Sequence, residues 1–332
     1  MEQISLKISG GQTIYGNCWK VDPKTESKGN IVICHGMCEY SARYDEFAKY
    51  LNSKGYDVYA VDHPGHGLNV TIPENPSLGL GVWPNSGFKL AIEYLHSLIV
   101  EVRLTMKPII LLGHSMGSIV CQRYFQRYSN TIDGLILSGS FTNHPSLVCA
   151  RILSQWMAKF LPDHKKERPS KFFYKVQMAS YNKFKPYADG YNSASKFLQV
   201  NEENVKKYDM DPMCGFIPSF NFYFNLFGGM KPTFQKKRLK DIENKVPVLL
   251  IAGDKDPVGK MGKSVKKLAK FYTKGGIEVD THLYEGYRHE ILFDDCKQQV
   301  FEDCLNYINS QVNKALQAKS EEKHDVNKEV FE

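Results

Sequence analysis

Short apolar runs recur along the chain and alternate with longer segments in which apolar residues return with a helical period. The runs are too short for helices and rich in β-branched residues, which is typical of buried strands. They lie at residues 30–34, 56–61, 109–112, 134–138 and 246–252, and residues 279–283 are predicted to form the last strand. Residues 42–54 and 86–106 show the helical pattern. This alternation predicts an α/β fold, in which a mostly parallel sheet is covered by helices on both faces.

Three regions depart from the alternation. Residues 1–20 switch between apolar and polar positions, which predicts an antiparallel hairpin at an edge of the sheet. Residues 142–244 contain no core-type strand and are rich in aromatic residues. We therefore predict a helical cap inserted into a core made of residues 1–141 and 245–315. Residues 316–332 are dominated by charged and polar residues, and they are predicted to form a disordered tail.

A Gly-His-Ser-Met-Gly motif occupies residues 113–117, between the apolar run 109–112 and a helical pattern. The three fixed positions of this motif match by chance in many sequences. A G-x-S-x-G turn between a strand and a helix, however, is the structural context of a nucleophilic serine. Gly113 and Gly117 are expected because a side chain at either position would collide with the neighbouring strand or helix. The motif predicts that Ser115 is a strained, outward-facing nucleophile.

A serine nucleophile needs a histidine base that is oriented by a carboxylate. Asp254 and Asp256 follow the apolar run 246–252, and His289 follows the last predicted strand, residues 279–283. The carboxyl ends of parallel strands line one edge of a sheet, so these turns should converge. The chain order Ser, Asp, His is that of α/β-hydrolases. We predict a triad of Ser115, Asp256 and His289, with Asp254 as the rival acid.

Hydrolysis through a serine also needs donors for the developing oxyanion, and fixed backbone N–H groups suit this role. One should come from Met116, directly after the nucleophile. The turn after the third predicted strand, at residues 35–37, should supply the other from Met37.

No cofactor or metal is expected. No G-x-G-x-x-G sequence opens a helix, which argues against a nucleotide-dependent oxidoreductase. The histidines at positions 35, 63, 66 and 114 have no partners at metal-ligand spacing, so we interpret them as hydrogen-bonding groups of turns and loops.

The 332-residue chain carries a formal net charge of +7. Much of the excess lies in three lysine-rich stretches, at residues 165–175, 231–240 and 260–274. No nucleic-acid motif accompanies them, so no nucleic-acid partner is expected. A solvated surface is one interpretation, and transient peripheral contact with anionic membranes is the other.

The eight cysteines are scattered without C-x-x-C spacing. We interpret them as reduced thiols of a cytoplasmic protein. The sequence has no apolar segment long enough to span a membrane, and its first residues lack the pattern of a signal peptide.

Taken together, the motifs resemble those of the monoglyceride lipase/lysophospholipase family of α/β-hydrolases. The resemblance extends over most of residues 28–310 and is weak in the predicted cap. It is carried by His-Gly-Met-Cys-Glu-Tyr-Ser-Ala-Arg-Tyr at 35–44, Asp-His-Pro-Gly-His-Gly at 62–67, the serine motif at 113–117, Gly-Asp-Lys-Asp at 253–256 and Arg-His-Glu at 288–290.

The resemblance implies a serine hydrolase with a mobile helical cap that cleaves a single fatty-acyl ester from a lipid. It assigns the triad roles to Ser115, Asp256 and His289, and the oxyanion roles to Met37 and Met116. Two departures are visible: Tyr40 stands where the family commonly has histidine, and a Leu-Asn pair at 68–69 replaces a serine-containing continuation.

The leading hypothesis is a cofactor-independent carboxylester hydrolase that forms an acyl-enzyme. A broad esterase or acyltransferase acting on small non-lipid esters is the alternative with the same triad. A non-catalytic ligand receptor is disfavoured, because a receptor has no need of all three triad residues. Head group, chain length and oligomeric state stay open.

Overall fold

The computed structural model describes residues 1–8, 10–72, 79–182 and 191–331. Within these residues, eight strands form one sheet. The strands are β1 (Glu2–Lys7), β2 (Thr13–Trp19), β3 (Gly29–Cys34), β4 (Tyr56–Val61), β5 (Ile109–His114), β6 (Gly134–Ser138), β7 (Val248–Gly253) and β8 (Val279–Tyr284).

The strand order is β1-β2-β4-β3-β5-β6-β7-β8. β1 and β2 form an antiparallel hairpin at one edge, and β2 pairs with β4 in antiparallel fashion. All other neighbours are parallel. The prediction of an α/β fold with a mostly parallel sheet and an antiparallel edge hairpin is confirmed.

Helices lie on both faces of the sheet, and each predicted helix is present. They are α1 (Asp45–Ser53), α2 (Leu68–Thr71), α3 (Gly87–Arg103), α4 (Met116–Tyr128), α5 (Pro145–Ala158), α6 (Asp163–Lys166), α7 (Lys171–Asn182), α8 (Glu202–Met210), α9 (Phe220–Thr233), α10 (Lys263–Thr273) and α11 (Lys297–Phe331). Short 3₁₀ helices occupy Ser41–Tyr44, Ser129–Thr131, Ala194–Phe197 and Lys236–Asp241.

The central strands are apolar throughout because both of their faces are covered. In β5, Ile110 and Leu112 pack in a cluster with residues of α1 and α11. Ile109 and Leu111 belong to the cluster on the opposite face, with residues of α3, α4 and α10. All four side chains are buried. Since successive strand residues point to opposite faces, a strand between two helical layers needs a continuous apolar run.

The chain between β6 and β7 contributes helices α5 to α9 and, among its described residues, no strand of the sheet. We call this helical segment the cap. α9 packs against α3 and α4 of the core and against α5 of the cap. Residues 183–190 of the predicted cap lie outside the described residues.

The prediction of a disordered tail from residue 316 is wrong as to secondary structure, because α11 continues to Phe331. Residues 316–321 are exposed on this helix, so packing on the core does not hold them. Alanine, leucine, glutamine, lysine and glutamate have high helix propensity, and they let a polar segment extend a helix that is anchored upstream. Glu332 lies outside the described residues.

Among the described helices, none combines the length and the apolar character that are required to cross a bilayer.

Candidate active site

Ser115 lies at the sharp turn between β5 and α4. Its backbone has φ 50° and ψ −117°, an unfavourable conformation for a residue with a side chain. The two motif glycines make this turn sterically feasible. A Cβ on Gly113 would lie 2.8 Å from Cα of Ser118 in α4, and a Cβ on Gly117 would lie 2.1 Å from the carbonyl oxygen of Cys34 in β3. The expected collisions at both glycines are therefore confirmed.

The structure brings the three predicted triad residues into one hydrogen-bonded chain. Nε2 of His289 lies 2.7 Å from Oγ of Ser115, and Nδ1 of His289 lies 2.9 Å from Oδ2 of Asp256. Asp256 follows β7 and is buried, with its other oxygen accepting the N–H of Val258 at 2.8 Å. This arrangement can draw a proton from the serine hydroxyl and stabilise the resulting imidazolium.

Asp254, the rival acid, occupies a different place. Its Oδ1 accepts the N–H of Gly286 at 2.7 Å, and its Oδ2 pairs with Lys255 at 3.0 Å. The carboxylate therefore holds the turn after β7 against the turn after β8, and the histidine contact belongs to Asp256.

The electrostatic surroundings favour a protonatable base at His289. Burial by itself lowers the pKa of His289, but the carboxylate of Asp256, followed by Glu290 and Glu39, raises it above the usual histidine value. The neighbouring His114 behaves differently, because burial and the nearby His289 lower its pKa to about 3. His114 is therefore neutral near pH 7, and only one of the two rings is poised to exchange protons.

The predicted oxyanion donors border the serine from two sides. Met116 is the first residue of α4, and Met37 lies in the turn that follows β3; both line the same cavity as Ser115. Among the hydrogen bonds of the described residues, none takes the N–H of Met37 or of Met116 as its donor. Two amides with free hydrogens beside a serine can receive a developing negative charge.

Buried histidines hold the turn after β3, as predicted for them. Nε2 of His35 accepts the N–H of His63 at 2.9 Å, and Nε2 of His63 lies 3.0 Å from the carbonyl oxygen of His35. Nε2 of His66 accepts the N–H of Cys38 at 3.4 Å. These rings stabilise the backbone that carries Met37.

A buried ion cluster, to which the sequence analysis assigned no role, connects the oxyanion turn with the histidine loop. The guanidinium of Arg43 makes two 2.8 Å hydrogen bonds to the carboxylate of Glu290, the residue after the base, and one of 2.5 Å to Glu39. Glu39 in turn accepts the N–H of Gly36 and the hydroxyl of Tyr44. Burial would raise the pKa of Glu290, but Arg43 lowers it to about 2, so this carboxylate is ionised. Burial raises the pKa of Glu39 despite the nearby guanidinium of Arg43, and the neighbouring Glu290 raises it further.

Glu39, Arg43 and Glu290 all stand within the motifs that carried the family resemblance. Glu39 and Arg43 are four residues apart, but 247 residues separate Arg43 from Glu290, so the spacing gave no sign that all three meet. The hydrogen bonds show that one guanidinium fixes both the turn that offers Met37 and the loop that offers His289.

The cap is tied to the same turn. The hydroxyl of Tyr40 donates to Asp211 at 2.9 Å, and the hydroxyl of Tyr208 donates to the carbonyl oxygen of Cys38 at 2.8 Å. Tyr40, the departure from the family pattern, thus reaches across to the cap.

A cavity of about 180 Å³ opens above the serine between the core and the cap. Its lining is mostly apolar and aromatic. The core contributes Met37, Met116, Phe141 and Val258, and the cap contributes Leu147, Phe173, Val176, Leu226, Phe227 and Met230, among others.

Comparisons with known proteins identify the family and the fold. A family model described as Hydrolase_4 (serine aminopeptidase, S33) matches residues 25–296. The chain is 24% identical to a monoacylglycerol lipase of Mycolicibacterium smegmatis, over 91% of this chain and 95% of that protein. A carboxyl esterase of Bacillus coagulans, crystallised with glycerol, superposes with a TM-score of 0.83 at 23% identity, covering 94% of this chain and 98% of that one. A Saccharomyces cerevisiae monoglyceride lipase bound to a substrate analogue gives 0.72 at 20% identity, covering 93% and 95%.

The pH dependence of ester hydrolysis tests the electrostatics around His289. Since the base must be neutral to accept the serine proton, kcat/KM should rise with pH, and the midpoint should lie above 6.5, the ordinary histidine value. Glu290→Gln removes a carboxylate that raises this pKa, so the midpoint should move to lower pH.

Asp254→Asn is the matched control, because it removes a carboxylate that does not contact the histidine. Its midpoint should equal that of the unmodified protein. A Glu290→Gln profile that coincides with the control would contradict the assigned electrostatics. Circular dichroism checks that both variants are folded.

Proposed function

The chain belongs to the Hydrolase_4 (serine aminopeptidase, S33) family and is a carboxylic ester hydrolase, and on this premise we propose that it cleaves a single fatty-acyl ester from a lipid. The observation that carries the proposal is the hydrogen-bonded chain from Ser115 to Asp256 at the floor of an apolar cavity. The substrate class is of the monoacylglycerol or lysophospholipid type, in keeping with the monoacylglycerol and monoglyceride lipases among the similar proteins.

In the proposed mechanism, Oγ of Ser115 attacks the ester carbonyl while Nε2 of His289 accepts the serine proton. Asp256 keeps the imidazole oriented and stabilises its positive charge. The N–H groups of Met37 and Met116 stabilise the oxyanion. Collapse of the tetrahedral intermediate breaks the ester C–O bond, and the imidazolium protonates the departing alcohol.

Deacylation repeats these steps with water as the nucleophile. His289 takes a proton from the water, the new oxyanion occupies the same site, and the released fatty acid leaves a free Ser115 hydroxyl. The acyl chain lies in the apolar cavity during both steps. Every role in the cycle is filled by a side chain or amide of this protein.

The acyl chain explains the composition of the cavity. Each buried methylene contributes about 0.8 kcal/mol, so an apolar lining favours long chains over short ones. Phe173 is 3% exposed and Leu226 is 5% exposed, and both are placed to contact a chain lying above the serine. The cap thereby selects for the substrate while the core supplies the reactive groups.

We also propose that the cap meets anionic membrane surfaces. On the outside of α5, Trp156 is 59% exposed, and Phe160 just beyond the helix is 70% exposed. On α7, Phe172 and Val176 are about half exposed, and Val176 also lines the cavity. Large apolar side chains exposed on the surface of the cap suit contact with a bilayer.

Exposed lysines accompany this apolar surface. Lys171 and Lys175 stand on α7 beside Phe172, and Lys165 lies on the preceding short helix α6. Each lysine near an anionic surface contributes on the order of 1 kcal/mol of attraction. The alternative is that these lysines keep an aromatic-rich cap in solution. Free thiols at the cysteines favour a reducing compartment, so we propose a cytoplasmic enzyme that visits membranes transiently.

Chain-length preference tests the substrate class. Long-chain monoacylglycerols and lysophospholipids should exceed a short aryl ester in kcat/KM by about 100-fold or more, since several methylenes are buried. Ala150 of α5 lines the cavity, so Ala150→Phe should shorten the preferred chain. Cys149→Phe adds similar bulk at the adjacent exposed position and should leave the preference unchanged.

A short aryl ester that outpaces every lipid would support the broad esterase alternative instead. Activity towards short esters with Ala150→Phe and Cys149→Phe shows whether the triad is intact in both variants. Transfer of the acyl group to added glycerol, in preference to water, would identify an acyltransferase.

Vesicle sedimentation tests the membrane surface. The protein should bind anionic vesicles more strongly than zwitterionic ones, and high salt should weaken the binding. Trp156→Ser combined with Phe160→Ser should reduce it at least about fivefold. Leu104→Ser combined with Met106→Ser is the control. These exposed residues precede β5, so they lie at the amino ends of the parallel strands, whereas the active site lies at the carboxyl ends. Equal losses in both pairs, or binding indifferent to lipid charge, would contradict the proposal.

A further inference from the structure

A second cavity, of about 340 Å³, lies far from the serine and has a different character. The lysines at positions 236, 240, 245 and 274 surround it. Its apolar lining includes Leu239, which is buried, and Phe271, which is half-buried. We call it the lysine cavity.

Two of the lysine-rich stretches noted in the sequence meet here. The 3₁₀ helix Lys236–Asp241 comes from the first, and the end of α10 with Lys274 comes from the second. Leu239 packs against the turn after α10: a Cβ added to Gly275 would lie 3.3 Å from the Cβ of Leu239. Nζ of Lys245 lies over the same turn, 3.1 Å from where a Cβ of Gly276 would be. The fold therefore gathers cations that are about thirty residues apart in the chain.

The lysine cavity lies at the amino ends of β7 and β8, whereas the candidate active site lies at their carboxyl ends. Lys245 precedes β7 and Lys274 precedes β8, whereas Asp256 and His289 follow these two parallel strands. Six residues of β7 separate the two ends by roughly 20 Å. A ligand in the lysine cavity is thus neither the ester nor its acyl chain.

Among the described residues, no carboxylate forms an ion pair with the lysines at positions 236, 240, 245 and 274. The acidic groups of the adjoining segment are engaged elsewhere. Asp241 pairs with Arg238 at 3.0 Å, and Glu243 accepts a hydrogen bond from Asn130. Like charges gathered around a concave surface concentrate a positive potential there.

We propose that the lysine cavity binds a ligand that carries at least two phosphate groups next to an apolar or ring-shaped part. Lysine ammonium groups are point charges that bind phosphate oxygens well, and four of them suit more than one phosphate. Phe271 and Leu239 offer a surface for the attached ring or apolar group. The ligand is either a soluble diphosphate, such as a nucleotide, or the head group of a phosphorylated lipid.

Calorimetric titration at low salt tests the proposal with inorganic pyrophosphate and adenosine diphosphate as probes. Both should bind, adenosine diphosphate more tightly, and Lys240→Gln combined with Lys274→Gln should weaken binding about tenfold or more. Lys263→Gln combined with Lys266→Gln is the matched control: it removes the same charge from exposed positions of α10 outside the cavity and should bind as the unmodified protein does.

Phe271→Leu separates the two halves of the ligand. It keeps an apolar side chain without a ring, so it should abolish the preference for adenosine diphosphate and leave pyrophosphate binding unchanged. Ester turnover should be unaltered in every variant, because the lysine cavity is remote from the serine.

A second arm distinguishes the source of the phosphates. Vesicles of phosphatidylcholine with a minor fraction of phosphatidylinositol bisphosphate are compared with the soluble probes. Binding to these vesicles alone, lost with Lys240→Gln and Lys274→Gln, identifies a lipid head group, whereas binding of the soluble probes identifies a free diphosphate. The proposal is overturned if neither source binds, or if the control pair weakens binding as much as the cavity pair.

Discussion

Ser115 can occupy its turn only because the chain around it leaves room for a backbone conformation that a side chain normally opposes. Gly113 and Gly117 supply that room, since a Cβ on either would collide with α4 or with the end of β3. The strained conformation costs free energy, and the packing of β5 between two helical layers offsets that cost. This packing fixes the directions of β5 and α4, so the turn between them has to be sharp. The outward-facing serine hydroxyl, the free amide of Met116 and the approach of His289 all follow from this turn.

The buried Arg43 cluster extends the same constraint to the rest of the site. Its guanidinium stacks near the ring of Phe293 and bonds to Glu39 and Glu290. Breaking such a buried pair leaves an uncompensated charge and costs about 3–5 kcal/mol. The cluster therefore favours one arrangement in which the oxyanion turn and the histidine loop face each other. The bonds from Tyr40 and Tyr208 connect the cap to that arrangement, so substrate selection and chemistry share one framework.

Sequence reasoning succeeded where the information is local. Continuous apolar runs bounded the central strands, and the G-x-S-x-G motif carried its own steric explanation. The Arg43 cluster could not be derived, because its members meet only when the turns after β3 and β8 converge. The sequence also did not show which aromatic residues of the cap are buried. Phe172 and Phe173 are adjacent and identical in type, but Phe172 is exposed and Phe173 is buried. The prediction of a disordered tail was wrong for another reason. Its composition is polar, but most of its residues favour a helix.

Reaction with a long-chain fluorophosphonate, followed by peptide mapping, tests the central claim that Ser115 is the nucleophile for lipid ester hydrolysis. The account predicts one adduct per chain, located on Ser115, with monoacylglycerol turnover falling in proportion to the fraction labelled and reaching zero at full labelling. Ser115→Ala should be neither labelled nor active. An adduct on another residue, or turnover that survives complete labelling of Ser115, would contradict the account.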